Sequence, residues 1–199
     1  MSSAAIQGSA PPEDDEVLAL LQDAFQNART GDASGLGRLL DRGVPPNVRN
    51  EKGDSLLMIA SYNGHAESTR LLLERGADPE IRNDRGQSPL AGAAFRGDLV
   101  VAALLLSQGA RIDGCGPDGK TPLMFAAMFD RVEMIDLLLT HGASPDHRDA
   151  SGTTAFTLAK AMGAEHASAR LEAMKDRFPR SDAKLIERGQ AGSHAVCRA

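Results

Sequence analysis

Apolar and polar positions recur along this chain at a fixed interval of 33 residues. Leu71, Leu104 and Leu137 stand one period apart, followed by Leu72, Leu105, Leu138 and then by Leu73, Leu106, Leu139. Small residues keep the same spacing at Ala60, Ala93, Ala126 and Ala159. Three glycine series share the register. One runs Gly53, Gly86, Gly119, Gly152 and a second runs Gly43, Gly76, Gly109, Gly142. The third runs Gly31, Gly64, Gly97, Gly163, with Asp130 where its fourth glycine would fall. A repeat of this length marks a stack of supersecondary units.

Each unit predicts two helices. A Ser or Thr N-cap with Pro at the first helical position, as in Thr121-Pro122-Leu123, opens a short helix that is small on one side at Ala126 and Ala127. The second helix carries the leucine triplet. A Gly-Ala pair (Gly76-Ala77, Gly109-Ala110, Gly142-Ala143) then ends it in the left-handed conformation that glycine adopts at little cost. The remaining stretch, residues 78–86 for example, holds Pro, Asn, Asp and Gly and predicts an exposed turn or hairpin. One unit cannot bury its apolar face alone, whereas four or five stacked together share one core.

The stretch Gly119-Lys120-Thr121-Pro122-Leu123-Met124-Phe125-Ala126-Ala127, followed by Leu137-Leu138-Leu139-Thr140-His141-Gly142-Ala143, resembles the ankyrin repeat. So does Leu71-Leu72-Leu73-Glu74-Arg75-Gly76-Ala77-Asp78. The resemblance implies an all-α ankyrin repeat solenoid of about five 33-residue helix-turn-helix units with projecting turns or hairpins. Its repeat domain is expected at 13–181, with units at 17–49, 50–82, 83–115, 116–148 and 149–181 and atypical capping repeats at both ends. Residues 1–12 and 182–199 are expected to be flexible tails.

Three departures from the family pattern carry expectations of their own. Where the family has His after Thr-Pro-Leu, this chain has Met58, Ala91, Met124 and Thr157. Apolar packing is therefore expected to replace hydrogen bonds between neighbouring turns. The first unit lacks Thr-Pro-Leu and opens on Glu13, Asp14, Asp15 and Glu16, suited to the positive end of a helix dipole. Its helix presents Val17, Leu18, Leu21 and Phe25 as an N-terminal cap. The last unit is expected to end in a charged helix from Glu165 to Phe178, with Arg170, Glu172, Lys175, Asp176 and Arg177 outward and Pro179 as its stop.

Charge narrows the partners. The 199 residues carry 22 Lys and Arg against 27 Asp and Glu, a net −5, which argues against generic binding to nucleic-acid backbones. No apolar run reaches the roughly eighteen residues of a membrane span, and the acidic start is unlike a secretory leader. Two cysteines, Cys115 and Cys197, do not make a disulfide framework, so a reducing cytoplasm is the expected location. The use of 17 Arg against 5 Lys points to a bacterial source.

Catalytic chemistry is not legible. His65, His141, His147, His166 and His194 are scattered and do not provide a zinc ligand set. No nucleophile elbow or phosphate-cradling glycine loop is present. The expectation is no enzyme, no cofactor and no metal. Cys115, between Gly114 and Gly116, reads as a small turn residue, with an exposed oxidisable thiol as the alternative.

The aromatic residues single out a surface. At the end of the first helix, successive units place Tyr62, Phe95, Met128 and Ala161, followed by Asn63, Arg96, Phe129 and Met162. The resemblance implies that these positions line a concave face and vary with the partner. Tyr62, Asn63, Phe95, Arg96, Met128 and Phe129 are thus candidate partner-binding residues, the alternative being rings packed between repeats. The turn tips offer a second surface. Arg82, in the row Arg49, Arg82, Arg148 that Cys115 interrupts, joins Arg85 and Lys120 as further candidates, against a solvated mixed-charge rim. The expected function is a non-catalytic, monomeric protein–protein interaction module that binds another protein through the concave face and turn tips. The alternative is an accessory or regulatory subunit of an enzyme, for example a redox enzyme.

Overall fold

A computed structural model describes residues 14–175. The expected tails at 1–12 and 182–199, the outward Asp176 and Arg177, the helix end at Phe178 and the stop at Pro179 lie outside the described residues. Within them the chain forms helices α1 (Asp14–Thr30), α2 (Ala33–Asp41), α3 (Leu56–Tyr62), α4 (Ala66–Glu74), α5 (Pro89–Arg96), α6 (Leu99–Ser107), α7 (Pro122–Met128), α8 (Val132–Thr140), α9 (Ala155–Met162) and α10 (Glu165–Lys175). No strand forms among the described residues; the isolated bridge between Arg49 and Ser55 is the extent of β pairing there. The projecting segments are therefore turns, called fingers below.

Hydroxyl caps start the first helix of each full repeat. Ser55, Ser88, Thr121 and Thr154 each accept the amide three residues on, at 3.1, 3.3, 3.4 and 3.4 Å. First helices pack in one row (α1, α3, α5, α7, α9) and second helices in another (α2, α4, α6, α8, α10). The first row is faced with fully buried Ala60, Ala93, Ala126 and Ala159, so its helices approach closely. The second row is spaced by the larger leucine side chains, a difference that favours bending toward the first helices. Of each leucine triplet, one side chain faces the core squarely: Leu72, Leu105 and Leu138 are fully buried, as 100° per residue requires.

Two expectations about the ends need correction. Val17 and Leu18 are exposed rather than part of the cap's packing face. Helix α1 has 17 residues against 9 in α2, so its first turn overhangs; the expected Leu21 and Phe25 do pack against the core, joined by Leu20, Ala24 and Ala28. Arg170 does not simply point outward: its Nε donates to Asp136 Oδ1 at 2.6 Å, tying α10 to α8.

The missing histidines are replaced in two ways. Met58, Ala91 and Met124 are buried, and their apolar packing is the compensation expected. Thr157 is exposed and instead closes a capping box with Thr154. A polar ladder on the other side of the turns adds to this. Asn47 accepts the Asp78 amide (2.8 Å), Glu80 accepts that of Arg111 (2.9 Å) and Asp113 that of Ser144 (3.1 Å). Each bond joins one repeat to the next.

Asp130 is the only non-glycine with positive φ among the described residues, at +55°. Residue 164, where the other second helices have Asp32, His65, Asp98 or Arg131 as N-cap, is Ala. Ala164 cannot cap α10. The carboxylate of Asp130, one repeat earlier, accepts the Ala167 amide at 2.6 Å and the His166 Nδ1–H at 2.7 Å. Within α6 the corresponding bond is local, from the Val101 amide to Asp98 at 3.0 Å. A cap supplied by the preceding repeat is thus built on a residue held in the left-handed region.

Candidate functional site

Three aromatic rings from three repeats form one row at the ends of the first helices. Tyr62 closes α3, Phe95 lies in the last turn of α5 and Phe129 follows α7. Tyr62 and Phe95 lie nearly parallel, centroids 5.9 Å apart and planes 17° apart. Phe95 meets Phe129 edge-on at 4.3 Å and 68°. Such offset and edge contacts match the ring quadrupoles. Tyr62 is 42% and Phe129 37% exposed, with Phe95 half-buried between them. Arg96 lies over the Tyr62 ring at 5.8 Å, and Met162, at the equivalent position of the fifth repeat, is 55% exposed. Packing between repeats and presentation to solvent coexist in the same side chains.

The recurring arginines Arg49, Arg82 and Arg148 donate to backbone carbonyls of the fingers. Arg49 donates to the carbonyls of Gly53 (2.9 Å) and Arg82 (3.0 Å). Arg82, whose side chain is only 21% exposed, bonds the Gly86 and Cys115 carbonyls and approaches Glu80 at 3.8 Å. Arg148 donates to Gly152 at 2.8 Å. These side chains brace a finger, and in two cases join it to the next. Asp149 braces the last finger. Burial works against its charge, but hydrogen bonds from the Ser151 hydroxyl and the Thr153 and Ser151 amides, with Lys120 nearby, hold its carboxyl below the ordinary value.

A family model described as ankyrin repeats in three copies matches residues 24–114 and again 93–171. The chain belongs to the ankyrin repeat family. A Pseudomonas aeruginosa protein named as an ankyrin repeat protein, PA3287, is 52% identical over 61 residues, 31% of this chain and 36% of that protein. The chain therefore matches about a third of that relative's length. Ankyrin repeats are generally protein–protein interaction modules.

In this ankyrin array the candidates divide into two groups. Tyr62, Phe95, Arg96 and Phe129 come together in the ring row. Asn63 stands beside them but turns its amide back to the Ile59 carbonyl at 2.8 Å, closing α3. Met128, Arg85 and Lys120 line a separate cleft between the second and third fingers, those around Gly86 and Gly119. Reasoning from sequence missed Ser88 and Phe125, which line the same cleft; the signal available was Ala91, small where neighbouring repeats have Met58 and Met124. Cys115 is buried, which sets aside the exposed thiol. No group of three or more His, Cys, Asp or Glu able to hold a metal occurs among the described residues, and no helix there is long and apolar enough to cross a membrane.

Proposed function

We propose that this chain is a non-catalytic, monomeric, cytoplasmic module that binds a partner protein through the ring row of its concave face. The observation that carries the reading is the row itself: Tyr62, Phe95 and Phe129 are in contact across three repeats yet keep solvent-facing surface. Large rings held rigidly by one another lose little freedom on binding, which is what a binding anchor needs. Arg96 and Asn63 supply a polar rim.

The test uses Tyr62 at the end of the row, because Phe95 touches both other rings and its truncation also loosens packing. Immobilised wild-type chain and Tyr62→Ala are compared in capture from source lysate, and the retained protein is then titrated against both. Tyr62→Ala is expected to weaken binding by about 2 kcal/mol or more, with a stability cost of about 1 kcal/mol from the lost ring contact. Unchanged affinity in a folded Tyr62→Ala chain refutes the reading. A retained enzyme would make the chain its accessory subunit.

A further inference from the structure

The finger around residues 115–119, the third of four among the described residues, lacks three devices that hold its neighbours. Asn50, Asn83 and Asp149 each accept two amides of their own finger at 2.8 to 3.1 Å; the corresponding residue 116 is Gly. Arg49, Arg82 and Arg148 donate to their own turn glycine; residue 115 is Cys. Backbone bonds also link successive fingertips, Asp84 N–H to the Lys52 carbonyl at 3.2 Å and Ala150 N–H to Asp118 at 2.9 Å. At the step between them the donor position is Pro117, which has no N–H. The Arg85 carbonyl, the acceptor of that step, therefore receives no backbone bond. Contact replaces it: a Cβ on Gly116 would lie 2.5 Å from the Gly86 carbonyl oxygen, so only glycine fits.

A cleft of about 270 Å³ opens at this broken step. Its floor is Ala91, Phe125 and Met128, and it stays open because Ala91 stands where Met58 and Met124 fill the neighbouring repeats. Arg85 and Lys120 line its walls together with Asp118. Asp118 pairs with Lys120 at 2.9 Å, and Asp84, beside Arg85 in sequence, pairs with Arg49 at 3.2 Å. The Arg85 guanidinium is exposed and has neither partner. The cleft thus carries one uncompensated positive charge in a chain of net −5.

We propose that this cleft receives an extended acidic segment of a partner protein, an inference that rests on the protein-binding reading above. A Glu or Asp carboxylate of the segment meets the Arg85 guanidinium. The adjacent apolar side chain lies on Ala91, Phe125 and Met128, and a backbone N–H of the segment donates to the Arg85 carbonyl that Pro117 leaves unpaired. A free inorganic anion would satisfy the guanidinium but offers nothing to the apolar floor. The cleft is smaller than the roughly 300–1,000 Å³ of sites that enclose a small molecule, and suits a single anchoring side chain.

Short fluorescent Gly/Ser peptides with a central Glu-Leu, Lys-Leu or Glu-Ser pair test this by anisotropy titration with the full chain. Glu-Leu is expected to bind best, with the other two at least about fivefold weaker. Arg85→Glu should weaken Glu-Leu about tenfold, and Ala91→Met, which fills the cleft, should abolish binding. Both variants are expected to keep the wild-type circular dichroism melt, since Arg85 is exposed and Met is accommodated at the equivalent positions. Tyr62→Ala should bind the peptide normally. The inference is overturned if Glu-Leu binds no better than Lys-Leu, if no peptide binds at about millimolar protein, or if neither folded variant alters binding. Should that happen while partner capture still depends on Tyr62, the cleft inference falls and the protein-binding reading stands.

Discussion

Replacing Asp130 separates two effects that the structure superimposes on one residue. Its carboxylate caps α10 from the preceding repeat, and its backbone sits at φ +55°, a region costly for side chains other than Asn and Asp. Asp130→Ala removes the cap, worth about 1 kcal/mol, and leaves a Cβ residue without a compensating hydrogen bond in that region, about 1 kcal/mol more. The sum is about 2 kcal/mol, or roughly 4–8 °C in melting temperature for a domain of this size. Asp130→Gly also loses the cap but relaxes the backbone, so its net cost should be below about 1 kcal/mol. Urea unfolding followed at 222 nm gives both numbers, and amide exchange across Ala167–Leu171 shows whether α10 frays first, as a terminal repeat should. If Asp130→Gly is more stable than wild type by about 1 kcal/mol, or if α10 amides of Asp130→Ala exchange at the wild-type rate, the carboxylate is not acting as a cap.

The same pair gives a pH signature. Hydrogen bonds from His166 and from the Ala167 amide hold Asp130 below the usual carboxylate value, and its bond to Asp130 raises His166 above 6.5. Asp130's contribution is complete above its unfolded value near 3.8 and is lost as pH falls through the lower folded value. His166's contribution is complete below 6.5 and is lost as pH rises through the higher folded value. The advantage of wild type over Asp130→Asn should therefore be greatest between about pH 4 and 6.5 and shrink on both sides. An advantage that grows steadily up to pH 8 would contradict the pairing.

Two core substitutions test the register in opposite directions. Leu105, fully buried in the central repeat, should cost on the order of 2–5 kcal/mol as Leu105→Ala in denaturant unfolding, and a cost well under about 1 kcal/mol would put the leucine ladder out of register. Thr69 is equally buried, but its hydroxyl has no hydrogen-bond partner, and the equivalent residues are Ala102 and Ile135. Thr69→Val should raise stability by about 1 kcal/mol, since it removes an unsatisfied polar atom while keeping the β-branched shape; a lower unfolding midpoint would refute this.

Much of the fold was legible in the residues because its determinants are local. Ser and Thr caps, Gly-Ala stops and the 33-residue ladders of Leu and Ala act within one unit or repeat identically between units, so periodicity alone exposes them. The aromatic ladder could be placed on one face for the same reason. Contacts between one repeat and the next could not be read in this way. Arg82 looks like a member of an exposed arginine row, yet it reaches the Cys115 carbonyl a full repeat away. Asp130 looks like a lapse in a glycine series, yet it caps the helix that Ala164 leaves open. The cleft beside Arg85 needs Ala91, Gly116 and Pro117 together, three substitutions that appear unrelated along the chain. Which side chain spans such a step depends on the offset between stacked repeats, to within an ångström. That offset follows from how whole helix faces pack, and a one-dimensional pattern does not carry it.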